Sequence, residues 1–101
     1  METKEMRGVY CDTLLGLAHS DERIMVLEAD LMKASGTIPF KQQFPERAVD
    51  VGVAEANMVG LAAGLSAAGK IPFAATFGCF ASRRVFDQFF ISANYAKLNV
   101  K

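Results

Sequence analysis

The chain has 101 residues, of which 51% are hydrophobic and 22% are charged. This length fits one small domain, and this composition supports a packed core and excludes a disordered chain. Its 11 basic and 11 acidic residues balance, so we expect neither a nucleic-acid-binding surface nor attraction to an anionic membrane. No apolar stretch reaches the roughly 18 residues of a membrane span. The N-terminal METKEMRGVY also lacks the apolar centre of a secretion signal, which predicts a cytoplasmic protein.

The two cysteines, Cys11 and Cys79, are too few for a disulfide framework. Without a secretion signal they are expected to be reduced thiols. Free cysteine is among the most buried residue types, so both are predicted to be small hydrophobic side chains in the core.

The first half of the chain predicts a helix, a strand and a short helical turn. Residues 24–27, IMVL, form a continuous apolar run that is typical of a strand covered on both faces. Residues 30–37 are polar and contain a glycine, which predicts a loop, and residues 38–44 predict a short helical turn. Residues 5–19 have helical spacing, and the predicted apolar stripe of that helix is Met6, Val9, Tyr10, Thr13, Leu14 and Leu17.

The second half predicts two more strands and two longer helices. The strands cover residues 48–53 and 71–76. Between them, residues 55–68 predict a helix that Gly69 ends in the left-handed conformation. A last helix is predicted over residues 82–98, with an apolar side made of Val85, Phe86, Phe89, Phe90 and Ala93.

This alternation of helices and strands with short links predicts an α/β fold, a parallel sheet with helices on both faces and right-handed crossovers. Val100 is expected to begin a fourth strand. A parallel sheet that stops there has an unpaired edge. We therefore expect either a fragment of a larger domain or a chain whose partner covers that edge.

Glu55 and two aromatic residues lie where ligands bind in folds of this kind. Glu55 follows an apolar strand and opens a helix of small residues, at the carboxyl edge of the predicted sheet. Phe77 and Phe80 follow the next strand. Position alone leaves other roles open, because first-turn carboxylates often only favour the helix dipole and aromatics at strand ends often fill the core.

Residues 44–101 resemble the pyrimidine-binding domain of transketolases, especially the separately encoded C-terminal half of the split enzymes. The resemblance is carried by FPERAVDVGVAEANMVGLAAGLSAAG, GKIPFAATFGCF, RRVFDQ and NYAKLNVK, in that order. Upstream, VLEADLMKASGT is similar to the strand and loop that carry an Asp-Leu pair in the family. The resemblance thus covers nearly the whole chain and implies that residues 1–101 are the N-terminal part of such a domain.

The resemblance implies thiamine diphosphate as the cofactor and assigns a role to five residues. Glu55, in GVAEANM, matches the glutamate that hydrogen-bonds the pyrimidine nitrogen N1′ and activates the cofactor. Phe77 and Phe80, in TFGCF, match the aromatics that wall and stack on the aminopyrimidine. Asp30 and Leu31 match loop residues near the thiazolium at the subunit interface.

The implied activity is that of a transketolase, which transfers a two-carbon ketol unit between sugar phosphates in the pentose phosphate pathway. The chain has no Gly-Asp-Gly followed by Asn, the family's signature for Mg²⁺ and diphosphate. The resemblance therefore implies that Mg²⁺ is held by a partner chain, the diphosphate-binding N-terminal half, in a homo-dimer or hetero-oligomer. No metal ligand is assigned to this chain, which we expect to be inactive and to bind cofactor weakly when isolated.

Three alternatives stay open. Deoxyxylulose-phosphate synthase shares the glutamate and the fold, although AEANMVG and TFGCFASRR are more similar to transketolase. Ser82 and Arg83 stand at positions where some family members have a further aromatic near the cofactor ring. This chain departs from that version, so no stacking role is assigned to Arg83. The β subunit of 2-oxoacid dehydrogenases is a more distant possibility. A non-catalytic, dimerising remnant is the alternative from another class, because a fold does not guarantee an activity.

Overall fold

The computed structural model describes residues 3–101 and contains a three-stranded parallel sheet. Strand β1 covers Ile24–Glu28, β2 covers Ala48–Asp50 and β3 covers Ile71–Ala75, in the order β2-β1-β3. The last residue of β1 lies opposite the last residue of each neighbour. All three strands therefore end at one edge of the sheet, and the links that leave them meet there.

Helices cover both faces of the sheet, which confirms the predicted α/β fold. The helices are α1 (Met6–Ser20), α2 (Met32–Ser35), α3 (Ile38–Gln43) and α4 (Glu55–Ala67). Successive side chains of a strand point to opposite faces, so β1 contributes to two cores. The core on one face contains Cys11, Leu14, Ala18, Ile24, Val26 and Phe40, and the core on the other contains Leu27, Ala29, Met58 and Ala62.

The apolar stripe predicted for α1 is wrong in most of its members. Leu14 is buried, whereas Met6, Val9 and Leu17 are exposed. Helix α1 faces the sheet with a narrow row that includes two small residues, and small side chains let a helix lie close to a sheet. The buried residues of α1 are Cys11, Leu14 and Ala18.

The segment predicted as a loop over residues 30–37 contains helix α2. Main-chain bonds form this short helix: the Ser35 N–H donates to the Leu31 carbonyl oxygen at 2.8 Å, and the Thr37 N–H donates to that of Met32 at 2.9 Å. Gly36 then ends the turn with a φ of 79°, a left-handed conformation that costs glycine little.

An arginine that the sequence did not single out joins α1 to the sheet. The Arg47 Nε donates to the carbonyl oxygen of Ile24 at 3.0 Å, and a terminal nitrogen donates to that of Ala18 at 3.0 Å. Its guanidinium also lies 4.2 Å from the centre of the Phe44 ring. One side chain thus binds carbonyls at the end of a helix and the start of a strand, groups that would otherwise need water.

Helix α4 ends as predicted at Gly69. The Gly69 N–H donates to the carbonyl oxygen of Ser66 at 3.0 Å, and the Lys70 N–H donates to that of Leu65 at 2.9 Å. This pair of bonds is the Schellman motif. It requires a left-handed residue, and Gly69 has a φ of 94°.

The regular helix predicted over residues 82–98 is wrong. The structure has π-helical turns at Phe80–Arg84 and Phe89–Tyr95, separated by an α-helical turn at Phe86–Gln88. We call Phe80–Tyr95 the C-terminal helical segment. The i→i+5 bonding of π turns changes the rotation per residue, so a period of 3.6 no longer selects the buried side. Of the predicted apolar side, Val85 and Ala93 are buried, whereas Phe86, Phe89 and Phe90 are exposed.

The fourth strand predicted to begin at Val100 is not formed within residues 3–101, although Lys101 makes two main-chain bonds to β3. Its N–H donates to the carbonyl oxygen of Pro72 at 3.0 Å, and its own carbonyl oxygen accepts the Ala74 N–H at 2.8 Å. This pattern is that of a parallel partner on the outer edge of β3. Among residues 3–101, no helix combines the length and the hydropathy that a membrane crossing requires.

Candidate functional site

Glu55 is a buried carboxylate at the carboxyl edge of the sheet. Strand β2 ends at Asp50, and the chain turns through Gly52, whose φ is 75°, before α4 begins. Glu55 is the first residue of α4 and is 5% exposed. Its carboxylate lies at a helix N-terminus, where the helix dipole favours negative charge.

Arg84 is the polar partner of Glu55. One terminal nitrogen of its guanidinium donates to Glu55 Oε1 at 3.2 Å, and the Arg84 side chain is 52% exposed. The central carbon of the same guanidinium lies 3.9 Å from the centre of the Phe80 ring, which is within cation–π range. Arg84 thus contacts an acid and an aromatic ring at once.

Phe77 and Phe80 follow β3 and extend this contact into a cluster. Their ring centroids are 6.3 Å apart with an interplanar angle of 36°. Phe77 is 52% exposed, so its ring does not fill the core of this chain. We call Glu55, Phe77, Phe80 and Arg84 the acid–aromatic cluster. Of the residues predicted for the site, the structure connects Glu55 with the two phenylalanines, and the connection runs through Arg84.

Asp30 and Leu31 lie elsewhere along the same edge. They line an open recess of about 860 Å³ whose lining residues include none of the acid–aromatic cluster. Asp30 has a φ of 60°, and its N–H donates to Asp50 Oδ1 at 2.9 Å. The structure of this chain therefore does not join this pair to the cluster.

A second buried carboxylate, Glu28, was not predicted from the sequence. Glu28 is fully buried, and its Oε1 accepts hydrogen bonds from the Ser35 hydroxyl at 2.6 Å and the Thr37 hydroxyl at 2.7 Å. Burial raises the pKa of Glu28, the two hydroxyls lower it in part, and the charge of Asp50 raises it further. The period of two along β1 places Glu28 on the same face as Ile24 and Val26, and this signal could have revealed it.

The prediction that both cysteines are buried holds for one of them. Cys11 is buried in the core beneath α1, and burial raises the pKa of its thiol. Cys79 is exposed, because it lies between Phe77 and Phe80 at the start of the helical segment that follows β3.

The acid–aromatic cluster suits a planar heterocycle with ring nitrogens. Glu55 supplies a carboxylate away from bulk water, and Phe77 and Phe80 supply apolar ring faces. The Arg84 guanidinium, which is planar and carries N–H donors, already contacts both the Glu55 carboxylate and the Phe80 ring. The aminopyrimidine of thiamine diphosphate has the same planar shape and nitrogen edge, so the residues present fit that group.

The chain matches a family model over nearly its whole length. The model describes the pyrimidine binding domain of transketolase, and residues 2–101 match it. Among curated relatives, the chain is 58% identical over 101 residues to the 6-deoxy-6-sulfo-D-fructose transketolase subunit SqwH of Clostridium sp. (strain MSTE9). It is 47% identical over 98 residues to a putative transketolase C-terminal section of Methanocaldococcus jannaschii. It is also 41% identical over 83 residues to 1-deoxy-D-xylulose-5-phosphate synthase 1 of Geobacter sulfurreducens.

These matches cover most of the chain but a smaller part of each relative. The first covers 100% of this chain and 31% of the relative, the second 97% and 31%, and the third 82% and 13%. The chain thus spans about a third of the length of the first two relatives.

A solved structure agrees with the fold. It is described as a split gene transketolase in an inactive β4 tetramer, and it superposes with a TM-score of 0.84 at 48% sequence identity. The match covers 93% of this chain and 31% of that one. The chain therefore belongs to the transketolase pyrimidine-binding domain family.

Proposed function

We propose that this chain supplies the aminopyrimidine side of a thiamine-diphosphate site in a split transketolase-type enzyme. The enzyme would transfer a two-carbon ketol unit between anionic sugars. The observation that carries the proposal is the buried Glu55 carboxylate connected, through Arg84, to the rings of Phe77 and Phe80. Membership of the family supports thiamine diphosphate as the cofactor, because the family model describes a pyrimidine-binding domain.

Thiamine diphosphate, when bound, supplies the carbanion chemistry that breaks and forms carbon–carbon bonds. In the proposed site Glu55 holds a proton between its carboxylate and the pyrimidine nitrogen N1′. Such a proton transfer requires the acid to lie within hydrogen-bond reach, in a place that excludes water. The low exposure of Glu55 supports this role.

Phe77 and Phe80 have a binding role in this proposal. A planar heterocycle gains about 1–3 kcal/mol from stacking on an aromatic side chain, by analogy with nucleic-acid bases. Phe77 is exposed in this chain, so its ring face is open to such a partner. The two rings would also keep water from the Glu55 carboxylate.

The remaining parts of the site are proposed to come from other segments and chains. The chain lacks the signature for Mg²⁺ and diphosphate, so a diphosphate-binding N-terminal half would hold both. The names of two relatives, a subunit and a C-terminal section, support such a division. Residues 1–101 would form the N-terminal part of the pyrimidine domain, in a dimer or hetero-oligomer located in the cytoplasm. Asp30 and Leu31, which line a separate recess, would approach the thiazolium only across the assembled interface.

The family resemblance and the name of one relative suggest two classes of substrate. Sugar phosphates are the substrates that the resemblance implies, and the SqwH relative is named for a sulfonated ketose, 6-deoxy-6-sulfo-D-fructose. Both classes are ketoses with an anionic end. A second candidate function is condensation of pyruvate, because relatives of this chain include 1-deoxy-D-xylulose-5-phosphate synthases. Parallel assays with a ketose phosphate, a sulfonated ketose and pyruvate would separate the three.

The test reconstitutes the polypeptide that carries this domain with its diphosphate-binding half and compares wild type, E55Q and E46Q. Glu46 is an exposed glutamate in a surface turn, so E46Q is a matched control for the loss of one carboxylate. We expect cofactor-dependent turnover in wild type and E46Q, and a loss of about 10²–10⁴-fold in E55Q. Turnover within threefold of wild type by a folded, cofactor-loaded E55Q complex would refute the role of Glu55. Absence of turnover in the wild-type complex with all three substrates would contradict the proposed enzyme activity.

A further inference from the structure

We infer that Arg84 is a displaceable occupant of the pyrimidine site. Its guanidinium contacts Glu55 and Phe80 at the positions that the cofactor ring takes when it binds. This inference rests on the proposed function of the acid–aromatic cluster. It assigns Arg84 a positioning role that acts through Glu55 and sets the apparent affinity for the cofactor.

The geometry supports this role because Arg84 satisfies both binding groups at once. It donates to Glu55 Oε1 at 3.2 Å while its guanidinium carbon lies 3.9 Å from the centre of the Phe80 ring. A guanidinium is a rigid plane with N–H donors along its edge. A pyrimidine ring that shares a proton with Glu55 and stacks on Phe80 has the same two requirements, so the two groups compete for one place.

Without the cofactor, Arg84 has a clear electrostatic role. The Glu55 side chain is 6% exposed, and a buried carboxylate is unfavourable when it has no counter-charge. Among the described residues, Arg84 forms the one ion pair found for Glu55. The pair therefore stabilises the cofactor-free form of the cluster.

The contact is also weak enough to exchange. A strong arginine–carboxylate pair is bidentate and has distances near 2.8 Å, whereas one bond at 3.2 Å joins Arg84 to Glu55. The Arg84 side chain is 52% exposed, so the guanidinium can return to water when it leaves. It lies at the end of a π-helical turn, and such turns often occur at functional sites.

A competing internal group lowers the apparent affinity for a ligand, because binding requires the fraction of molecules in which that group has left. Removal of the guanidinium should therefore strengthen cofactor binding. The same change should lower the stability of the cofactor-free protein. A residue that contacts the cofactor directly would show the opposite change in affinity.

The experiment is calorimetric titration of thiamine diphosphate, with Mg²⁺, into the reconstituted complex carrying R84M or R83M. Methionine removes the charge and the N–H donors but keeps a long apolar chain. Arg83 is an exposed neighbour, so R83M is a matched control for the loss of one positive charge. We expect R84M to bind about three- to tenfold tighter than wild type, and R83M to bind within twofold of wild type. If R84M does not assemble, R84Q tests the same expectation.

Equal or weaker binding by R84M, or by R84Q in its place, would overturn the inference while wild-type binding still supports the proposed function. An equal gain in R83M would also overturn it, because the effect would then come from net charge. Failure of the wild-type complex to bind the cofactor at all would refute the proposed function and this inference together. As a second readout, we expect R84M, but not R83M, to lower the thermal midpoint of the cofactor-free complex.

Discussion

Two buried glutamates lie at opposite ends of their elements and have different partners. Glu28 ends strand β1 and accepts hydrogen bonds at 2.6 and 2.7 Å from two hydroxyls of the following segment. Glu55 begins helix α4, and its partner is a half-exposed arginine at 3.2 Å. Both residues are at most 5% exposed, so burial alone does not distinguish them.

The partners explain why we propose different roles for the two acids. Ser35 ends α2 and Thr37 is the N-cap of α3, so Glu28 Oε1 is bound by hydroxyls that regular elements of the chain hold in place. The Arg84 side chain is 52% exposed, and the Phe77 ring of the same cluster is also 52% exposed. We therefore expect the partner of Glu55, unlike the partners of Glu28, to exchange for a ligand.

The largest expected effect on stability separates E28A from E55A. The change E28A leaves a cavity and removes the acceptor of the buried Thr37 hydroxyl and of the half-buried Ser35 hydroxyl, and we expect it to lower the free energy of unfolding by about 2–4 kcal/mol. The change E55A also removes a buried side chain but leaves a half-exposed arginine, which water can solvate, and should cost less, about 1–2 kcal/mol. Urea unfolding of both variants, without cofactor, measures the two values. A cost for E55A equal to that for E28A would remove the distinction between the two acids.

The hydroxyl partners of Glu28 give the next largest effect. The change T37V keeps the shape of a fully buried side chain but removes its bond to Glu28, and we expect a loss of about 1–3 kcal/mol. Thr13 donates to the Val9 carbonyl oxygen on an exposed helix surface, so T13V is the matched control and should change stability by less than about 0.5 kcal/mol. Equal effects of the two changes in chemical denaturation would show that the hydrogen bond between Thr37 and Glu28 contributes nothing to stability.

The raised pKa of Glu28 predicts a specific pH dependence. A carboxyl whose pKa is higher in the folded chain than its ordinary value of 4.5 stabilises the fold below that value. This contribution is lost as the pH rises through the folded pKa. We therefore expect the wild-type free energy of unfolding to fall relative to that of E28Q between pH 4 and pH 8. The control E46Q should keep the wild-type slope, and identical slopes in wild type and E28Q would contradict the assignment.

The smallest expected effect concerns the two cysteines, of which one lies in the core beneath α1 and the other lies beside the acid–aromatic cluster. Cys79 is exposed beside the acid–aromatic cluster, whereas Cys11 is buried and burial raises the pKa of its thiol. Because the thiolate is the reactive form, iodoacetamide should modify Cys79 before Cys11 in the cofactor-free protein. Peptide mass spectrometry over a time course measures both rates. Equal rates would show that the core beneath α1 opens as readily as the cluster.

The sequence predicted the elements whose signals are local. The alternation of apolar segments indicated the parallel α/β sheet, and a glycine at position 69 indicated the end of α4. The position of Glu55 at the carboxyl edge followed from the order of strand and helix. These features depend on neighbours in the chain, which a sequence displays directly.

The features that the sequence did not predict depend on contacts between distant residues or on irregular geometry. Arg84 and Glu55 are 29 positions apart, and Arg47 binds a carbonyl 29 positions away. No local pattern distinguishes these arginines from solvated ones. The π turns at Phe80–Arg84 and Phe89–Tyr95 changed the helical period, so phenylalanines that were predicted to be buried are exposed.

A crystal structure of the reconstituted complex with thiamine diphosphate would show whether the cofactor ring binds at Glu55. We expect a Glu55 carboxylate oxygen at roughly 2.6–3.2 Å from the pyrimidine nitrogen N1′, with Phe77 and Phe80 against the ring and Arg84 no longer bonded to Glu55. A cofactor ring bound elsewhere, with the Glu55–Arg84 pair intact, would contradict this expectation.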